Sequence, residues 1–389
     1  SLFYRVRETN TSKHKQEMSK INTRSPYYIT LTATNLTKVD FEIWIYTGTK
    51  TTDQTNGSLF KLTASAVNDI VTVEIAELVS DYILSTFDGD YECTNVWVDY
   101  RSINYIQGTA GTYTAFTTLG GFNGYGFFED GANPQNLQSL LQSNTTILKL
   151  DDAPVNLAVD TSITTSVAFY ANNEQVYTKT IASSNESDNQ IEYVTNTTNG
   201  ADDFEQRVLL DGGTFEGSIC LQEFANDFTL FPVDTIYIEG TSGVDVLKVD
   251  NIQECKYQPY KVTFINKFGA LQDIWFFKRT NETLTTKTED FKRNIVVNGT
   301  YDTSRHQQKV LTKNGSEKLT LNTGYYPESY NDVFKQMQLS EDCWIEINNQ
   351  TLPINVSSSS LKYKTQLNDK IINYTIEIDF AYDTINNIR

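Results

Sequence analysis

The chain has 389 residues and a mass of 44.1 kDa, beyond the size at which a single hydrophobic core stops growing, so two or three domains are expected. Aromatic residues make up 12% of it, enough core-forming bulk to exclude a disordered chain, while two His and four Cys supply few metal ligands, proton shuttles or nucleophiles. A net charge of −18 repels phosphate backbones and argues against nucleic acid as a main partner.

Residues 1–26 carry six basic side chains (Arg5, Arg7, Lys13, Lys15, Lys20, Arg24) against two acidic ones, or +4, which leaves −22 for the rest. This reads as a frayed terminus or as an extended basic arm that docks on the acidic face of a neighbouring copy and orders there. The segment lacks the apolar run of a signal peptide, so no secretion is expected. No stretch reaches the ~20 apolar residues of a membrane-spanning helix, so no membrane insertion is expected.

From residue 27 onward the dominant pattern is period-two alternation, the mark of strands with one face buried. It predicts strands at 40–46, 69–75, 94–100, 235–239, 260–266, 343–347 and 371–380. In the last, Ile372, Tyr374, Ile376, Ile378 and Phe380 share one face. Helical spacing predicts two short helices, 76–87 and 327–338, the second with Pro327 in its first turn and a stripe of Tyr330, Val333, Phe334 and Met337. Each helix leads into a Trp-bearing strand (Trp97, Trp344), and IWIYTGTKTTDQ at 43–54 parallels IWFFKRTNETLT at 274–285, which suggests a distant internal repeat. Strands with apolar bulk on both faces, such as those of Trp44, Tyr46 and Trp97, require a second covering layer, from this chain or another subunit.

Turn-rich segments at 120–134 and 255–260 divide the chain into a β-rich domain 27–135, a second β domain 136–259 and a third, 260–389. The polar segment 183–205 reads as a long exposed loop or protruding hairpin. The fold class is mainly β: tandem antiparallel β-sandwich or barrel-like domains with a few short helices and an extended N-terminal arm.

The chemistry-bearing motifs fail in turn. HExxH, the Walker loop and a Rossmann GxGxxG are absent. His14 and His306 lie in polar surroundings with no recognisable Ser or Cys plus Asp constellation, and read as surface residues. Cys93, Cys220, Cys255 and Cys343 are widely spaced without CxxC and read as buried free thiols rather than a zinc site. The acidic turns 88–92 and 201–205 do not fit a calcium loop. No catalytic, cofactor-binding or metal site is expected, and no enzyme. The segment GGFNGYGFFEDG (120–131) interleaves glycines with Phe122, Tyr125, Phe127 and Phe128. It reads as an aromatic plug beneath a domain junction or as a protein contact, since aromatic anchors dominate interfaces.

In the third domain, YKVTFINKFGALQDIWFFKR (260–279) and the terminal LKYKTQLNDKIINYTIEIDFAYDTINNIR (361–389) resemble segments of structural proteins of tailed-bacteriophage virions. IWIYTG (43–48), TFDGDY (86–91) and GYGFFEDG (124–131) are similar to segments of the same group, so the resemblance touches the first and third domains. It implies a non-enzymatic subunit of the tail, neck or baseplate region, located in the virion. Its partners would be other copies of itself and other virion proteins, through the six basic arm residues and the four aromatics of 120–131. The alternative is a receptor- or glycan-binding β-protein in which Trp97 or Trp344 stacks a sugar ring of a host glycan.

Overall fold

The computed structural model describes residues 20–48, 50–51, 53–92, 94–135, 138–181, 190–199, 228–230, 232–241, 243–358 and 371–385. Among them the chain is mainly β, with two α-helices, Ala76–Ser80 (α1) and Asn331–Leu339 (α2). Strands from successive stretches of sequence make three large sheets.

The first sheet runs in the order Lys20–Asn22, Thr117–Phe122, Val96–Ile106, Leu36–Thr47, Ser58–Ser65, with Thr109–Tyr113 also paired to Val96–Ile106. A two-stranded layer, Tyr28–Thr32 with Ile70–Glu74, lies over it and brings Ile29 and Val71 onto Phe41, Ile43 and Ile45. The second sheet, in the order Glu174–Thr180, Thr164–Ala171, Thr235–Gly240, Gly243–Ile252, Thr146–Leu150, is likewise covered by a pair, Asn156–Asp160 with Ile191–Thr195. The third has seven strands: Leu271–Phe276, Tyr260–Ile265, Cys343–Ile347, Gln350–Val356, Thr375–Phe380, Gln308–Asn322 and Lys278–Lys292. Here α2 is the covering layer, and its stripe of Val333, Phe334 and Met337, with Tyr330 just before it, packs onto Val262, Phe264, Ile345 and Ile376.

The sequence pattern survives with local corrections. Ile372, Tyr374, Ile376, Ile378 and Phe380 are all buried, but the strand is broken. Ile371–Ile372 pairs with Tyr326–Pro327, and Thr375–Phe380 enters the large sheet, the amide of Tyr374 between them donating to Thr323 Oγ1 at 2.9 Å. The helix expected over 76–87 ends at Ser80. The next amides reach back only three residues, Tyr82 to Val79 O and Ile83 to Ser80 O, so the chain tightens into a turn and Leu84 is exposed.

Not all pairing is antiparallel. Lys20–Asn22 runs parallel to Thr117–Phe122 and Gly243–Ile252 parallel to Thr146–Leu150. In both cases about a hundred residues separate the partners, ample for the crossover that parallel strands need.

Of 183–205, residues 183–189 and 200–205 lie outside the described residues, but Ile191–Thr195 is a core strand with Ile191 and Val194 buried. Of the four cysteines, Cys93 and Cys220 lie outside the described residues. Cys343 is buried, its thiol pushed up to about 12 chiefly by burial, whereas Cys255 is exposed.

The proposed repeat takes a different form. Ile43 and Trp44 sit on the first strand of a hairpin (Leu36–Thr47 with Ser58–Ser65), Ile274 and Trp275 on the second (Tyr260–Ile265 with Leu271–Phe276), so the Ile-Trp match is not topological. A shared order remains in both sheets: second hairpin strand, first hairpin strand, then the Trp97 or Trp344 strand that follows the helix.

One carboxylate ties the three parts together. Asp273 accepts hydrogen bonds from Tyr91 Oη at 2.6 Å, Thr263 Oγ1 at 2.7 Å and Asn156 Nδ2 at 3.1 Å, one donor from each third of the chain. Beside it Phe87, Ile265, Leu271 and Trp344 form a small shared core. Behind it, fully buried Asn266 opens the Asn-Lys-Phe-Gly turn. Its Oδ1 accepts the amides of Phe268 and Ala270, and its Nδ2 donates to Leu141 O at 2.8 Å and Gln272 Oε1 at 3.0 Å. Gln272 in turn donates to Asn144 Oδ1 and Asn144 to the buried Tyr330 hydroxyl. A buried donor without an acceptor costs about 1–3 kcal/mol. Asp273→Ala strands three donors at once and is predicted to lower unfolding stability by about 3 kcal/mol or more, read as a fall in the urea midpoint followed by Trp fluorescence.

Candidate assembly surface

The segment 120–131 divides into an inner and an outer half. Phe122 and Tyr125 are buried, Phe122 against Leu141, Ala158, Ile191, Phe268 and Ala270. The approach is close: a Cβ at Gly124 would meet Lys267 O at 2.8 Å, and the neighbouring Tyr125 amide donates to that same oxygen at 2.9 Å. Burial pushes the Tyr125 hydroxyl up to about 12, against the opposing pull of Arg24 beside it. Phe127 is half-buried, with the Lys335 ammonium 3.6 Å from its ring centre, and Phe128 is fully exposed. Phe122 and Tyr125 therefore form a plug within the chain, and Phe128 alone presents its whole ring to solvent.

The basic arm also divides. Arg5, Arg7, Lys13 and Lys15 lie outside the described residues. Lys20 and Arg24 are held within the chain, because Lys20–Asn22 is an edge strand of the first sheet rather than a free extension. The Lys20 ammonium makes a buried ion pair with Asp160 of the second sheet's covering layer. Asp160 Oδ1 also accepts from the amide and hydroxyl of Ser162. Arg24 stacks over Tyr125 at 4.9 Å, pairs with Glu341 at 3.1 Å and donates to Leu339 O at 2.9 Å. Any free basic arm therefore ends at or before residue 19.

The two tryptophans considered as sugar platforms are not platforms. Trp97 is 0% and Trp344 8% exposed. Trp97 lies under its own chain, its Nε1 donating to Gly48 O at 3.0 Å with Lys50 over the ring, and Trp344 packs at a tilt on Phe87 in the shared core. Trp44, on the same face of the sheet as Arg101, packs on Phe116 and beneath the Arg101 guanidinium. Side chains and loops of the chain itself thus cover these rings. Arg101 also clamps Glu42, with bonds of 2.9 and 2.7 Å, and Lys61 adds a third at 3.0 Å. Burial alone would raise that carboxyl, but the paired cations outweigh it and hold Glu42 below its ordinary value.

The largest unsupported feature is one the sequence reading missed. Lys278–Lys292 and Gln308–Asn322 form a long antiparallel pair whose base is part of the third sheet: Thr375–Phe380 flanks it from Asn322 to Lys318. The chain's last described residues brace it a little further, through Thr384 N to Gly315 O and Ile385 N to Asn314 Oδ1. Beyond that the pair continues alone as a two-stranded ribbon, bulged between Glu289 and Asp290, to a tight turn at Asn298 and Gly299, both with positive φ. Every residue from Asn281 to Lys313 is exposed except half-buried Ile295, and the apolar side chains of Phe291, Val296, Val297, Tyr301 and Leu311 all face water. His306, read as a surface residue, lies in its exposed outer return. The signal was available in the alternation of Thr-rich 280–288 and the Asn-Gly pair at 298–299.

Among the described residues no group of three or more His, Cys, Asp or Glu is placed to hold a metal ion, and no helix is long and apolar enough to cross a membrane. The chain matches no protein-family model and no curated protein.

Removing one partner of a buried ion pair leaves a charge without compensation and costs about 3–5 kcal/mol. Asp160→Asn is predicted to lose about that much, and the Lys20→Met, Asp160→Asn double variant to recover part of it, a coupling read from the four urea unfolding curves. Deletion of residues 1–26 removes the edge strand and this pair and is predicted to lower the midpoint.

Proposed function

We propose that the chain is a non-enzymatic structural subunit of a tailed-bacteriophage virion, of the tail, neck or baseplate region, and that it acts by assembling with neighbouring virion proteins. The observation that carries assembly is the ribbon. A lone two-stranded hairpin is at best marginally stable in water, and this one exposes apolar side chains along roughly 35 Å from Lys287 to its tip at the rise of a strand. Exposed strand edges are a ready template for another chain, and exposed apolar surface of this kind marks a contact to be made.

The body from which it projects suits the same work. Three β units locked through Asp273, Asn266 and the Lys20–Asp160 pair give a firm base. The exposed Phe128 ring is a second anchor. The narrower placement in a phage virion rests on the resemblance of 260–279, 361–389, 43–48, 86–91 and 124–131. Recognition of a host glycan would have to use aromatic faces other than Trp97 and Trp344, which are buried.

Antibody labelling of purified particles of the phage that encodes the chain tests the reading. Label at one fixed station along the neck, tail or baseplate is expected. Label recovered only with unassembled protein, with none on particles, would overturn it.

A further inference from the structure

The ribbon differs from the rest of the molecule in charge as well as in support. Residues 278–313 hold eight Lys and Arg (among them Lys287, Lys292, Arg293 and Lys309) against four Asp and Glu, a net +4 within a chain of −18, which leaves −22 elsewhere. Apart from Lys278 at its base, which pairs with Glu254, its basic groups are not paired with the body. Among the described residues of the stretch beyond Gly315, Arg293 Nε donates to the carbonyl of His306 in the ribbon itself, and no Lys or Arg between 287 and 313 takes part in a salt bridge. A projecting element with free cations and uncovered apolar side chains fits a surface that is acidic and can exclude water from those side chains. The chain's own body supplies such a surface.

We propose that the ribbon is a clasp that seats on the acidic body of a second copy of this chain. The proposal rests on the assembly reading and names its partner. Unlike charges steer the encounter and fix its direction, and burial of Phe291, Val296, Tyr301 and Leu311 holds it. The ribbon of one copy meets the body of another, so the contact is either exchanged within a two-fold pair or repeated head-to-tail, closing into a ring when the rotation permits.

The test uses the full chain. Equal amounts of protein with natural and heavy nitrogen are mixed and treated with a zero-length carbodiimide, which joins Lys amines to carboxylates, and cross-linked peptides are identified by mass spectrometry. The mass in solution is followed in parallel by light scattering across concentration and salt. Mixed-isotope links from Lys287, Lys292 or Lys309 to carboxylates outside 278–313 are expected, in an oligomer that salt loosens. The Lys287→Gln, Lys292→Gln, Arg293→Gln, Lys309→Gln variant should need at least 10-fold more protein to reach the same mass. All four positions are exposed, so unchanged Trp fluorescence certifies the fold. An oligomer indifferent to salt and to these substitutions, without mixed-isotope ribbon links, overturns the clasp while leaving assembly by another surface. A chain that stays monomeric throughout also overturns it, and the particle labelling then decides the broader reading by itself.

Discussion

The interior of this molecule depends on a polar constraint: a buried donor or acceptor must find a partner. At the place where the three β units meet, the partners come from different units. Asp273 gathers Tyr91, Asn156 and Thr263, and Asn266 joins its own turn to Leu141 and, through Gln272 and Asn144, to Tyr330 ahead of α2. No unit can satisfy these groups alone. Apolar packing around Phe122, Phe268, Phe87 and Trp344 surrounds the same place. The close backbone approach at Gly124, and Gly269 with a φ of +76°, let the segments fit. Burial also pushes the Tyr91 hydroxyl well above its ordinary value, with the Asp273 charge adding to it, so at neutral pH it stays a donor to that carboxylate.

That joint gives meaning to the contrast with the ribbon. In the body, each sheet has a covering layer and each large strand a filled face. In the ribbon, both faces are open and the ladder between its two strands carries it alone. Local stability follows the number of buried apolar contacts, so the molecule combines a stiff base with a projecting element that gains most from a partner. The division also reassigns the basic N-terminal region: its last residues, Lys20 to Arg24, serve the joint through the edge strand, Asp160 and Glu341.

The sequence made the strands legible because their signal is local. Alternation at 371–380 and 40–46 reports which side chains share a face, and the Tyr330-Met337 stripe reports a helix's buried side, although Pro327, expected in its first turn, pairs in a short strand and α2 begins only at Asn331. What it could not convey was which distant residues cover each face. Glu42 stands at a position that alternation assigns to solvent, yet it is buried between Arg101 and Lys61. Trp97 is fully buried, with Gly48 and Lys50 from a distant part of the chain against it. The parallel edge strands involve partners about a hundred residues apart, which no periodicity records. The stretches that carried the resemblance, 86–91, 124–131 and 260–279, supply Phe87, Tyr91, Tyr125, Asn266 and Asp273. Much of their distinctive character is thus the chemistry of the joint, while the ribbon has a plainer, Thr-rich sequence whose first part, 278–285, entered only as half of a suspected repeat.

Hydrogen exchange of the full chain, followed by mass spectrometry at dilute and at assembling concentration, tests the division between fixed body and recruited ribbon most directly. Slow exchange of the amides around 266–272 under both conditions, with fast exchange of 287–309 when dilute and protection on assembly, is the predicted result. Joint amides that exchange as fast as the ribbon, or a ribbon whose exchange is the same at both concentrations, would contradict it.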